Sequence, residues 1–349
     1  MDGFLVAEFL GKPAWMWLGF VGIVGGLLWL DLGVLNKKDH VIGPKESFLQ
    51  AGFYIAVGLL FGGYVLWDLG RQPALEYYTG YLVELTLAMD NVFIISLILA
   101  YFAVPRELQH RVLFWGIIGV IVLRAMMIGL GAALVSNFGW ILYVFGAFLL
   151  LTGVKMLKDA LSGKEAQRDL SGNPALKWLR SHLRLTDQFH GNRFFIRRPH
   201  PVTGKLALFA TPLFLALALV EIADLVFAID SVPAIFAITQ DPYIVYTSNI
   251  FAIIGLRALY FALENAVHRF KYLKHALSAV LIFIGAKIFL GDLVFGGKFP
   301  ALWSLGITFS ILAAGVLWSI WKTRGSAAVP VLQESPSREA PTATHPNKG

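Results

Sequence analysis

Long apolar runs alternate with short polar ones along the chain, and that spacing predicts helices that cross a bilayer. A span needs about 20 apolar residues. Runs of that kind occur at approximately 15–35, 48–69, 78–103, 112–134, 139–157, 207–239, 244–264, 275–293 and 302–321. The predicted fold is all-α, a polytopic membrane protein with about nine transmembrane helices. The first run is too long for the core of a signal peptide. Met1-Asp2-Gly3-Phe4 before it lacks the basic stretch such a peptide carries, so the run is kept as a helix.

Composition agrees with the pattern. Of 349 residues, 57% are hydrophobic and 15% charged, with a mean hydropathy of +0.67, whereas a soluble domain is about half apolar. The net charge of +7 does not call for a nucleic acid, because the basic residues follow the cytoplasmic excess of membrane proteins. Twenty-two of the 29 fall on one side of the predicted spans: Lys37, Lys38 and Lys45; Arg106 and Arg111; ten from Lys158 to Lys205; Arg269, Lys271 and Lys274; and four in the tail. The other side holds Lys12, Arg71 and Lys298. The predicted topology therefore places the N-terminus outside and the tail in the cytoplasm. Cysteine is absent, which excludes disulfides, thiolate metal sites and cysteine nucleophiles.

The remaining basic residues, Arg124, Lys155, Arg257 and Lys287, lie inside predicted spans and belong to an internal repeat. Residues 84–98, ELTLAMDNVFIISLI, align with 224–238, DLVFAIDSVPAIFAI, at an offset of 140 with six of fifteen positions identical. Downstream, Leu123-Arg124-Ala125 answers Leu256-Arg257-Ala258, and Gly153-Val154-Lys155 answers Gly285-Ala286-Lys287. Each unit has three spans, so the copies insert with opposite orientation. Two inverted three-helix repeats with polar sites at their interface are a recurring transporter plan. The chain then divides into a two-helix unit (1–75), a first repeat (76–158), a cytoplasmic loop (159–206), a second repeat (207–293), a last span (294–324) and a tail (325–349). The tail is rich in Pro, Ser, Ala and Thr and reads as disordered.

The chemistry lies in the acids. Glu84, Asp90 and Asn91 fall in the third span, and Glu221, Asp224, Asp230 and Ser231 in the sixth. A carboxylate near the bilayer centre costs at least about 2.5 kcal/mol, so these groups require partners or a function. Arg124 and Arg257, with Lys155 and Lys287, are the evident charge-balancing counter-ions. Lys155 and Lys287 lie nearer helix ends, where a lysine can snorkel. Five acids against two arginines leave an excess that suits a cation. Residues seven apart share a helix face, which joins Glu84 to Asn91 and Asp224 to Ser231, while Glu221 and Asp230 face opposite ways. Pro233 removes a helical donor and is expected to bend or open the helix near Ile229. Carboxylate, amide, hydroxyl and carbonyl oxygens suit a hard divalent ion. The eight histidines read as solvated residues of loops and helix ends, and Asp31 and Asp292 as interfacial structural residues.

VELTLAMDNVFI at 83–94, ATPLFLALALVEIADLVFAIDSVPAIFAIT at 210–239 and the LDLGV stretch from Leu30 resemble the TerC family of membrane proteins, in particular its Alx-type branch. The resemblance covers most of 15–320. It implies a bacterial inner-membrane protein of metal-ion homeostasis, with manganese export as its activity and Asp90, Asp230 and their acidic neighbours holding the metal.

The preferred functional reading is a secondary transporter, not an enzyme, with no tightly bound cofactor and Mn²⁺ as the transported ion. A divalent ion on carboxylates competes with protons, so the same acids can couple the two fluxes. Its expected partners are the metal ion and the lipid bilayer, with cytoplasmic proteins at the 159–206 loop. A metal-binding scaffold or sensor is the alternative. An intramembrane aspartyl hydrolase is a third reading, although Leu290-Gly291-Asp292 follows Phe289 and so lacks the GxGD pattern.

Overall fold

The structure is a computed structural model describing residues 6–31, 44–162, 173–186, 188–199, 206–263, 273–295 and 299–323, apart from the side chains of Pro44, Asp90, Phe93, Arg257, Leu263 and Asp292. The stretch after Asp31, His40, His200, His268, His345, much of the 159–206 loop and the tail lie outside the described residues.

A short hairpin, β1 (Glu8–Phe9) and β2 (Lys12–Pro13), leads into α1 (Ala14–Leu30). Then come α2 (Pro44–Asp68), α3 (Arg71–Tyr101), α4 (Arg106–Asn137) and α5 (Ile141–Leu161). A peripheral segment follows, made of α6 (Pro174–His182) and an antiparallel pair, β3 (Phe195–Pro199) and β4 (Leu206–Ala210). The chain re-enters the bundle as α7 (Pro212–Phe236), α8 (Pro242–Ile254), α9 (Leu256–Leu263), α10 (Leu273–Phe295) and α11 (Ala301–Thr323).

Among the described residues seven helices are long and apolar enough to span a bilayer, while Ala14–Leu30 and Pro242–Ile254 are shorter apolar helices. The first and seventh of the nine expected spans are thus shorter among the described residues, and the sixth and seventh are altered in form. The sixth begins five residues later than expected, because Leu206–Ala210 pairs as β4 with β3. The seventh is broken at Gly255 into α8 and α9. Pro233 lies inside α7, which continues to Phe236.

Turn and cap chemistry sets the joints. Gly70, at φ +91°, makes the tight link from α2 to α3 that a side chain would strain. Tyr77 Oη donates to Gly58 O at 2.8 Å and closes that helical hairpin. Asp241 caps α8 by accepting from Tyr243 N at 3.0 Å, and its other carboxylate oxygen pairs with Lys12 at 2.9 Å. Asn173 caps α6, accepting from Ala175 N at 2.8 Å.

Packing follows an exchange between the two acid-bearing units. α3 lies along α8, α4 lies along α7, and α5 crosses α10. The α5–α10 crossing is backbone against backbone: a Cβ on Gly285 would lie 2.7 Å from Gly146 O, and one on Gly153 would lie 2.9 Å from Ile282 N. An aromatic cluster joins α1, α2 and α8, with Phe61 and Phe251 ring centres 4.5 Å apart. Leu60, Leu151, Leu293 and Leu317 point outward and exposed, as bilayer-facing positions require. At the end where α7 begins, Leu176 and Leu179 of α6 bury into the core, and Arg111 lies over the Phe194 ring.

Candidate functional site

Four helices deliver polar side chains to one buried point. Arg124, midway along α4 and 1% exposed, is held by Glu84 of α3, Asp224 and Ser231 of α7, and Asn249 of α8. Its Nη1 donates to Glu84 Oε1, to Ser231 Oγ at 2.9 Å and to Asn249 Oδ1 at 3.1 Å. Its Nη2 and Nε donate to the two oxygens of Asp224 at 3.1 and 3.3 Å. Glu84 and Asp224 are also buried. The planar guanidinium fork matches a carboxylate at two points, which orients Asp224 as well as neutralising it. The seven-residue spacing explains why Asp224 and Ser231 reach the same group. On α3, Glu84 meets Arg124, while Asn91 turns toward a cavity of ≈ 20 Å³ lined also by Asp224, Leu113, Gly116, Val220 and Phe227. That is room for about one water.

Of the other predicted residues, Glu221, Asp230, Lys155 and Lys287 do not join this cluster. The Glu221 carboxyl lies against Gly119 of α4, where any Cβ would collide with it. Its Oε2 is buried with no hydrogen-bond partner among the described residues. Asp230 is half-buried on the face of α7 that packs against α5, beside Thr152. Asp90 lies in α3 and Arg257 in α9, with their side chains outside the described residues. Lys155 is exposed. Lys287 departs from the snorkelling expected of it: it is 5% exposed and donates to Ser304 Oγ of α11 at 3.0 Å.

Among the described residues no three of His, Cys, Asp and Glu come together as a metal-ligand group. The reason is geometric: Arg124 fills the space between Glu84 and Asp224, while Glu221 and Asp230 turn to opposite sides of α7. His110 corrects another expectation. It is buried in the first turns of α4, its ring against Glu107 O at 2.9 Å, whereas His182 and His190 are not buried. Asp31 is buried and accepts from Tyr54 Oη at 2.9 Å, a structural contact between α1 and α2. Asn249 was missed in the sequence. Its signal was a carboxamide in the apolar run of α8, next to Thr247 and Ser248, which bond only their own helix.

The two acid-bearing helices and their arginine fall within residues 69–327, which match the profile of the Integral membrane protein TerC family. The chain belongs to the TerC family. Its TerC relatives extend the match over nearly their whole length. A Rickettsia bellii protein described as an uncharacterized membrane protein is 46% identical over 87% of this chain and 96% of the relative. A Myxococcus xanthus membrane protein is 43% identical over 90% and 94%. An Escherichia coli protein bearing the name membrane-bound redox modulator Alx is 44% identical over 89% and 96%. No solved structure matches this TerC chain.

Proposed function

We propose that this TerC-family protein is a bacterial inner-membrane transporter that exports a divalent cation, Mn²⁺, in exchange for protons. The observation that supports it is the oxygen cage around Arg124. Glu84, Asp224, Ser231 and Asn249 present carboxylate, hydroxyl and carboxamide oxygens around one cationic group, a donor set that suits a hard divalent ion. The guanidinium acts as a tethered cation holding the place of the cargo.

Charge bookkeeping gives the coupling. Two carboxylates and one guanidinium leave one negative charge in excess, which one proton cancels. Two carboxylates and one divalent ion are neutral without it. Arrival of the metal thus displaces both the arginine and the proton, and departure of the metal takes both back. Asp90 and Asp230, at matched positions of the repeat, are the further acids of the ion's path in this reading. The exchange of helix partners between α3–α5 and α7–α10 supports an inverted-repeat reading, in which the cage is alternately open to each side.

The relatives' redox name does not rest on thiol chemistry here, since this chain has no cysteine. The test is flux of Mn²⁺ into sealed proteoliposomes with an imposed pH difference. Wild-type protein is expected to move the ion against the proton gradient, and Asp224→Asn to lose the movement while inserting normally. Absence of flux from well-folded wild-type protein would sink transport and leave a metal-binding scaffold. Flux that ignores pH and follows voltage alone would replace exchange by uniport.

A further inference from the structure

A second cation is also buried among the described residues. Lys287 of α10 borders a cavity of ≈ 300 Å³, walled on its polar side by Gln72, Glu76, Thr79 and Gln240 and on its apolar side by Leu142, Phe236, Ile288 and Phe299. An ammonium has three N–H donors. Among the described residues its one acceptor is Ser304 Oγ at 3.0 Å, and it forms no ion pair among them. Glu76 lines the same cavity and its carboxylate acts on the lysine across it without an ion pair, while its Oε1 accepts from Gln72 Nε2 at 2.9 Å.

An intramembrane lysine costs about 2.5 kcal/mol or more, and a bond to a neutral hydroxyl does not cancel its charge. The lysine therefore directs a positive field and spare donors into the cavity. The first turns of α3, α5 and α11 border the same space, and the positive ends of their dipoles add to that field.

We infer that this cavity binds a small organic monocarboxylate, with its carboxylate on Lys287 and its hydrocarbon part along Phe236 and Ile288. The volume equals that of roughly ten liquid waters, too roomy for a halide alone and sufficient for an acid of a few carbons. Glu76, which lines the same cavity, disfavours a second negative charge, so a monocarboxylate is preferred over a dicarboxylate. This site stands apart from the metal reading and does not depend on it.

The test is equilibrium dialysis of the purified full-length protein in detergent against ¹⁴C-butyrate, with chloride and succinate as competitors. Wild-type protein is expected to bind butyrate, with chloride and succinate each competing at least tenfold more weakly. Lys287→Met should weaken binding at least tenfold. Ile288→Trp, which fills the cavity and keeps the lysine, should do the same, so the test survives if one variant fails to fold. Lys155→Met, altering the exposed counterpart in the other repeat, should leave binding unchanged. Glu76→Gln should strengthen competition by succinate. No butyrate bound by wild-type protein, equal affinity for chloride, or full binding by the folded Lys287→Met or Ile288→Trp protein would each overturn the proposal.

Discussion

Among the described residues two cations, Arg124 and Lys287, are buried in the helical bundle, and their surroundings are opposite. Arg124 is enclosed by oxygen atoms from three neighbouring helices, two of them carrying carboxylates. Lys287 has one hydroxyl and a cavity. Both avoid the lipid, but the arginine ties four helices through charged contacts, whereas the lysine joins α10 to α11 through one hydroxyl. Burial of a charge thus indicates nothing by itself about its contribution to the fold. What decides is whether its removal strands a partner.

That contrast sets the order of expected effects. Arg124→Leu leaves Glu84 and Asp224 facing each other in the core and should cost about 3–5 kcal/mol, seen as a much lower unfolding midpoint by tryptophan fluorescence. Arg124→Lys should recover only part of this, because an ammonium cannot pair with Asp224 at two points. A variant Arg124→Leu that melts like wild type would mean that the cage is not held by charge. Gly285→Leu comes next, at about 1–3 kcal/mol from overpacking, since α5 and α10 have no space for a side chain there. Tyr54→Phe removes one donor to Asp31 and should cost about 1–2 kcal/mol, measurable in the same melt. Lys287→Met is expected to shift stability by less than about 1 kcal/mol, in either direction. It loses one hydrogen bond but relieves the desolvation of an uncompensated ion. A large loss there would make the two cations alike and erase the comparison.

The chain's helical, membrane-spanning character was legible in its apolar runs, because bilayer thickness imposes a length that short core helices do not share. The acids and Arg124 were legible as a charge account, and the spacing of Asp224 and Ser231 gave their common face. What could not be read was which acid would meet which cation. That depends on how α4 is rotated against α7, which no local pattern encodes. The same blindness hid Asn249, whose partner lies 125 positions away in sequence. It also hid the difference between Lys155 and Lys287, which occupy equal places in the repeat and unequal places in the bundle. The break at Gly255 and the strand at Leu206–Ala210 lie inside apolar runs, where hydropathy cannot separate a continuous helix from a broken one.

The glycine seam between α5 and α10 has a mechanical consequence. Where two helices touch through Gly146, Gly153 and Gly285, Leu150, Ile282 and Ile288 of the facing helix seat against the glycines, so any parting of the backbones opens a void along the seam. Such a contact is stiff to separation, the behaviour of a fixed spine. If the two units rock to expose the buried arginine first to one side and then to the other, the axis of that motion runs along this seam. The seam will then be the part of the molecule that moves least.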